Sequence, residues 1–209
     1  MQAFTDFILQ VTYPPNPIRA LDNSLTPDQQ AGLEFFNGPR VDGLAPCSGC
    51  HVLDRTANPG VATPGLFGTS GQSSFDFQPQ LLKVPHFRNL YQKVGMFGMA
   101  ENAALVPANH QHQGDQIRGF GFLHDGSFDS IFRFVSIIPF TTLIGNPEGI
   151  PLGPQGDASR RHLEQLLLAF DSNLAPIVGQ QVTLRSGGLA AVGPRIDLLR
   201  ARADRGECD

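Results

Sequence analysis

Cys47, Cys50 and His51 lie within five consecutive positions and form a Cys-x-x-Cys-His run. This run is the attachment signature of a covalently bound c-type haem. The two thiols add across the haem vinyl groups as thioethers, and the adjacent imidazole then lies under the iron as the proximal ligand. Two intervening residues let both sulfurs reach one porphyrin while the imidazole stays on one face. The sequence therefore predicts one covalent haem c, with His51 bound to its iron.

Three other uses of a Cys-x-x-Cys pair fit the flanking sequence less well. A thioredoxin-like redox pair follows a strand and precedes a helix, whereas residues 43–46 indicate a loop. A zinc site needs a second pair of ligands, and the only other cysteine is Cys208. A disulfide across so short a loop would be strained. Haem attachment is therefore the preferred interpretation.

Candidates for the sixth iron ligand lie further along the chain. Met96 and Met99, in an apolar loop that contains glycine, are the only methionines after Met1. A thioether is a good sixth ligand and raises the potential of the iron relative to histidine, although methionines also fill gaps in cores. His112 is a rival ligand, or else a solvated side chain. The sequence leaves Met96, Met99, His112 and a five-coordinate iron as alternatives.

Arg88 is a candidate partner for a haem propionate. It follows Val84 and Pro85, which favour an extended turn. A guanidinium matches a carboxylate in fork geometry. The alternatives for Arg88 are a surface charge or a bond to backbone carbonyls.

A helix must position the segment before the cysteines. Thr26 is a good N-cap and Pro27 suits a first helical position, so a helix is predicted from there to about Asn37. Gly32 lies inside it and costs stability relative to alanine. It therefore predicts the close approach of another helix. An ordinary amphipathic helix with a tolerated glycine is the alternative.

Patterns elsewhere predict the remaining elements. Residues 159–171 are typical of a helix with one apolar face, formed by Leu163, Leu166, Leu167 and Phe170. A helix near residue 131 would be capped by Asp125 or Ser127. Residues 3–11 favour a short helix or strand, 52–81 a long loop around the haem edge, 139–159 a loop, and 173–188 a loop or a strand pair. Residues 189–204 indicate a helix interrupted by Gly193 and Pro194.

Composition limits the class of protein. The chain has 209 residues, of which 16% are charged, with 23 Gly, 17 Pro and 16 Phe. A net charge of −4 is too mild to indicate nucleic acid or an acidic membrane surface, and no stretch approaches the length of a transmembrane helix. The first residues lack the pattern of a signal peptide, yet c-type haem is attached outside the bacterial cytoplasm. We therefore expect a periplasmic or extracellular protein, either mature or part of a longer chain.

The order of motifs resembles a known family. A helix with Gly-x-x-x-aromatic, then Cys-x-x-Cys-His, a long loop and a late Leu/Phe helix resembles a class I cytochrome c fold. More closely, the runs 85–89 and 122–127 resemble the P-x-L-R-N and Y-x-H-D-G-S runs in the C-terminal haem domain of bacterial di-haem cytochrome c peroxidases and MauG-like proteins. The resemblance covers about residues 22–172. It implies a mainly α, cytochrome c-like fold with long loops around one haem, helices that cross near Gly32 and Phe170, and haem contacts from Pro85, Arg88 and His124.

The chain also departs from this family. The family's sixth ligand would fall near Ile138, where no ligating side chain lies within two residues, and residues 98–121 look inserted. Only one haem motif is present. We expect a lead-in segment at 1–21, a haem domain at 22–172 and a C-terminal extension at 173–209. The expected function is single-electron transfer with a redox partner protein or a neighbouring haem domain. The alternative is a peroxidase- or oxygenase-type enzyme with an open sixth position, in which His124 or His112 acts as distal acid or base.

Overall fold

Helices make up most of the regular structure in the computed structural model, as the mainly α prediction requires. The described residues are 2–43, 45–53, 73–74, 82–95, 119–123, 126, 128–170, 172 and 174–208. The α-helices are α1 (Gln2–Gln10), α2 (Pro27–Asn37), α3 (Cys47–Cys50), α4 (Ile131–Phe134), α5 (Pro154–Leu168) and α6 (Leu189–Ala203). Short 3₁₀ helices span Leu90–Gln92, Ile138–Phe140 and Thr142–Ile144. Strands β1 (Ser73–Ser74) and β2 (Leu82–Lys83) form one antiparallel pair.

The chain divides into two units. One is Thr26–Phe170, which contains the cysteine motif, and the other combines Met1–Leu25 with Asp171–Asp209. In the second unit, α1 exposes its apolar side chains Phe4, Phe7 and Ile8. None of the helices in the described part of the chain has the length and apolar character needed to cross a membrane.

The start of α2 follows directly from its sequence. The Thr26 hydroxyl accepts a hydrogen bond from the Gln29 amide at 3.3 Å, and the Gln29 side-chain oxygen accepts one from the Thr26 amide at 3.0 Å. This reciprocal pair is a capping box, and it satisfies amides that have no partner within the helix. Pro27 occupies the first turn. The predicted helix and its N-cap are confirmed.

Gly32 lies where α2 meets α5. A Cβ atom built at Gly32 would lie 2.2 Å from the carbonyl oxygen of His162 and 2.9 Å from the Cβ atom of Leu166. Only a residue without a side chain lets the two helices approach this closely, which confirms the predicted close approach. The predicted apolar face of α5 is also buried, and Phe170 is buried just beyond the end of the helix.

The boundaries of three helices differ from the predictions. Helix α5 begins at Pro154 rather than 159, because proline suits the first turn. Helix α4 is capped by Ser130, whose hydroxyl accepts from the Arg133 amide at 3.3 Å, rather than by Asp125 or Ser127. Helix α6 continues through Pro194. Gly193 lacks a Cβ atom, which removes one of the steric contacts that proline makes with the residue before it.

Residues 139–159 are also more ordered than the predicted loop. Two of the 3₁₀ helices and the start of α5 lie there. The Asn146 amide donates to the carbonyl oxygens of Arg40 and Val41 at 2.8 and 3.0 Å, and the Glu148 carboxylate binds the Arg40 guanidinium at 3.0 Å. These contacts hold the backbone shortly before the cysteine motif.

Candidate functional site

The cysteine motif forms a single helical turn, α3. The His51 amide donates to the Cys47 carbonyl at 2.9 Å, so the turn extends to the histidine. Positions i, i+3 and i+4 share one face of a helical turn. Cys47, Cys50 and His51 hold these three positions, and no disulfide joins the two thiols in the described structure. The spacing of Cys47, Cys50 and His51 in the sequence thus places the three residues on one face of the turn.

The two thiols have different surroundings. Cys50 is exposed, whereas burial raises the pKa of Cys47 to about 11, with the nearby Asp42 carboxylate adding to the effect. Thiol–disulfide exchange needs a thiolate, and redox-active dithiols accordingly have a lowered pKa. Cys47 remains a neutral thiol at pH 7. This environment is unlike that of a thioredoxin-type pair.

The His51 imidazole has a defined hydrogen-bond partner. Its Nδ1 atom lies 3.2 Å from the carbonyl oxygen of Pro85, 34 positions along the chain. A carbonyl oxygen only accepts hydrogen bonds, so Nδ1 carries the proton. The neutral ring then has its lone pair on Nε2, so Nε2 is the nitrogen that can bind a metal ion. Sequence reasoning expected Pro85 near the site but did not predict this bond.

One face of the imidazole is covered by Phe87. The two rings are stacked, with centroids 4.2 Å apart and planes inclined by 21°. Phe87 is itself buried and meets two other rings edge-on. Phe36 of α2 lies at 5.9 Å, and Phe170, after α5, lies at 5.1 Å. This aromatic cluster (Phe36, Phe87 and Phe170) links His51 to the α2–α5 crossing.

The sequence did not single out Phe87 as a site residue. Phe87 lies two residues after Pro85 and directly before Arg88, both of which were predicted to lie near the site. Aromatic side chains are common in cores, so the ring by itself does not indicate contact with a histidine.

Basic side chains accompany this segment. The Arg88 amide donates to Nδ1 of His86 at 3.1 Å, and Arg88 is half-buried. Burial lowers the pKa of His86, and the positive charges of Arg88 and Lys93 lower it further. Burial also lowers the pKa of Lys93. No acidic residue occurs in 82–95, so this stretch would favour an anionic group beside it.

The structure brings together some of the predicted site residues. Cys47, Cys50 and His51 share one turn, and the Pro85 carbonyl reaches His51. Met96, Met99, His112 and His124 lie outside the described residues. Within the described ranges, no group of three or more His, Cys, Asp or Glu side chains is arranged to hold a metal ion.

Comparisons with protein-family models, with curated proteins and with solved structures each found no match to this chain. The resemblance to class I cytochromes c and to di-haem peroxidases therefore stays a prediction. The same holds for the haem, the redox function and the location outside the cytoplasm. The geometry around His51 is the basis on which a function can be proposed.

Proposed function

We propose that the unit Thr26–Phe170 is a cytochrome c-like domain that binds one haem c covalently and transfers single electrons. One observation carries the proposal: Nδ1 of His51 is 3.2 Å from the Pro85 carbonyl. This bond leaves the lone pair on Nε2, in a residue that directly follows two cysteines on the same helical turn. Metal-bound histidines typically use the second nitrogen in this way.

The described residues are compatible with a bound haem in two further respects. The aromatic cluster supplies a dry apolar wall beside His51. The half-buried Arg88, close to His86 and Lys93 in a segment without acidic residues, suits pairing with a propionate. Pro85, Arg88 and, by resemblance, His124 are the proposed non-covalent haem contacts.

Each of these residues would have a distinct role in binding the haem. Cys47 and Cys50 would hold the haem as thioethers, since each S–H bond can add across one vinyl C=C bond, sulfur to one carbon and hydrogen to the other, with no oxidant required. When bound, the haem would supply an iron that carries one electron between its ferric and ferrous states. His51 would hold that iron through Nε2, and its bond to Pro85 makes Nε2 more basic. Phe87 of the aromatic cluster covers one face of the imidazole.

The proposal extends to location and partners. A covalent haem c places the protein in the periplasm or outside the cell. Its partner would be a redox protein that docks weakly at a haem edge, or a neighbouring haem domain as in the di-haem peroxidase family. The enzyme alternative, a peroxidase or oxygenase with an open sixth position, depends on residues 96–118 and 124–125, and the same experiment tests it.

The test is the visible spectrum of protein produced in a bacterial periplasm with a haem-attachment system. We expect a haem c spectrum that survives denaturation, because the cofactor is covalent, and that does not shift with carbon monoxide. A spectrum that shifts with carbon monoxide and reacts with peroxide would establish the enzyme alternative instead. His51→Ala should abolish the low-spin bands, and His162→Ala, a substitution of a histidine on α5, should not. Protein without haem bands would refute the proposal.

A further inference from the structure

We infer that Phe87 is a positioning residue, which fixes the plane of the His51 imidazole beneath the iron. The inference rests on the proposed function, since it concerns the same site. Its basis is the stacked contact between the two rings, at 4.2 Å and 21°.

A hydrogen bond alone does not determine the orientation of the ring. The bond from Nδ1 to the Pro85 carbonyl fixes one direction in the imidazole plane. The imidazole can still rotate about the line that joins Nδ1 to that oxygen. A flat surface parallel to the ring opposes this rotation, because turning the plane would drive its edge into the Phe87 ring. The bond and the stack therefore restrict different motions and together define one orientation.

Phe87 can act in this way because its own ring is held. It is 8% exposed, and it meets Phe36 at an interplanar angle of 73° and Phe170 at 90°. Edge-to-face contacts of this kind are favourable and directional. One of these rings lies on α2 and the other lies two residues after the end of α5, and these two helices cross at Gly32. The helix crossing is thus connected to the orientation of His51 through one side chain.

The side chain at position 87 also covers one face of the imidazole. Leucine at position 87 would fill much of the space but would offer no planar surface. Phe87→Leu should therefore retain packing while it releases the ring, and Phe87→Tyr should retain the planar contact.

The experiment uses the haem-loaded protein and nuclear magnetic resonance. In the oxidised state, the spread and order of the four haem methyl resonances report the orientation of the axial imidazole plane. We expect Phe87→Leu to change that pattern and to accelerate hydrogen exchange at His51 Nδ1 several-fold. Phe87→Tyr should restore the wild-type pattern. Phe128→Leu is the matched control, because Phe128 is fully buried and its recorded ring contact is with Phe134.

Two outcomes would overturn the inference. One is a Phe87→Leu protein whose methyl pattern and exchange rate match those of the wild type. The other is the absence, in the reduced wild-type protein, of a nuclear Overhauser effect between the Phe87 ring and the His51 imidazole. The second measurement needs no variant, so it decides the matter even if Phe87→Leu fails to load haem. Failure of the proposed function is distinguishable, because the wild-type protein would then contain no haem.

Discussion

Cys47 and Cys50 have the same functional group in unlike surroundings. Burial and the charge of Asp42 keep Cys47 protonated, with a pKa of about 11, whereas Cys50 faces solvent. The half-buried Cys47 therefore forms little thiolate at neutral pH, and the thiolate is the attacking species in thiol–disulfide exchange. These surroundings are compatible with two thiols that each react once to form a thioether. Thioether attachment of both cysteines therefore remains part of the proposed function.

Single substitutions of these cysteines test that conclusion. Cys47→Ala or Cys50→Ala should each leave one vinyl group unreacted, and a remaining vinyl extends the conjugation of the porphyrin. We expect the absorption maximum of the reduced pyridine complex to move to longer wavelength in both variants. Cys208→Ala, which changes a cysteine of the other unit, should leave the spectrum unchanged. A wild-type spectrum in either motif variant would contradict two-point attachment.

Met96 and Met99 belong to the same scale, although they lie outside the described residues. Only the true sixth ligand should alter the oxidised spectrum and lower the reduction potential when it is replaced by alanine, since a thioether stabilises the ferrous state. Potentiometric titration of Met96→Ala and Met99→Ala separates the two. If neither substitution changes the spectrum or the potential, methionine ligation is wrong. His112→Ala would then be the next variant to titrate.

At the scale of elements, the α2–α5 crossing holds the aromatic cluster that covers His51. Gly32→Ala would place a Cβ atom 2.2 Å from a backbone carbonyl oxygen, which cannot move without shifting α5. We expect a loss of about 3 kcal/mol in the free energy of unfolding, the upper end for overpacking. Urea denaturation measures the change. Gln30→Ala, at an exposed position of the same helix, should stay within about 0.5 kcal/mol of the wild type.

A Gly32→Ala protein as stable as the wild type would contradict the close approach of the two helices. The haem spectrum of the variant adds information, because the crossing and His51 are joined through Phe36, Phe87 and Phe170. A destabilised variant with altered haem methyl resonances would show that the α2–α5 crossing affects the orientation of His51.

The sequence predicted the features that depend on residues close to one another in the chain. Thr26 and Pro27 define a helix start through bonds within three residues. Gly32 by itself predicts a close contact but does not indicate which residues make it. The stack of Phe87 on His51 is different, because it joins positions 36 apart in sequence and depends on how α2 and α5 cross. The start of α5 at Pro154 and the continuity of α6 through Pro194 differ from the predictions, which gave proline a helix-starting role only at Pro27. The order of motifs predicted that a helix crosses α2 near Gly32, but not the bond that selects the His51 tautomer.

At the scale of the whole molecule, the unit Thr26–Phe170 is closed by contacts between its distant parts. Arg40 and Glu148 are 108 positions apart, and the carboxylate accepts from both the backbone amide and the guanidinium of Arg40. These hydrogen bonds, the backbone bond first, lower the pKa of Glu148 below its ordinary value of 4.5. The pair joins the segment before the cysteine motif to the loop before α5. The charge state of Glu148 therefore affects the strength of the bonds that hold the segment before the cysteine motif.

The sign of the resulting pH dependence follows from that direction. Because folding favours the ionised form of Glu148, the contribution of the pair is complete at neutral pH. It is lost as the pH falls through 4.5 and then through the lower pKa of the folded state. Glu148→Gln retains an oxygen acceptor for the Arg40 amide but has no charge to lose. Its urea midpoint should lie below that of the wild type at pH 7, and the difference should shrink as the pH falls below 4.5. The two residues are largely exposed, so we expect a small effect, best resolved at low salt.

Arg40→Gln supplies the control for this prediction. It removes the guanidinium but keeps the backbone amide, so Glu148→Gln in that background should produce a smaller pH-dependent difference than in the wild type. Midpoints of the wild type and Glu148→Gln that run parallel from pH 7 to pH 3 would mean that the pair does not hold the loop. If the two urea midpoints instead converge at low pH, a bond between residues 40 and 148 contributes to the stability of the unit that carries the cysteine motif.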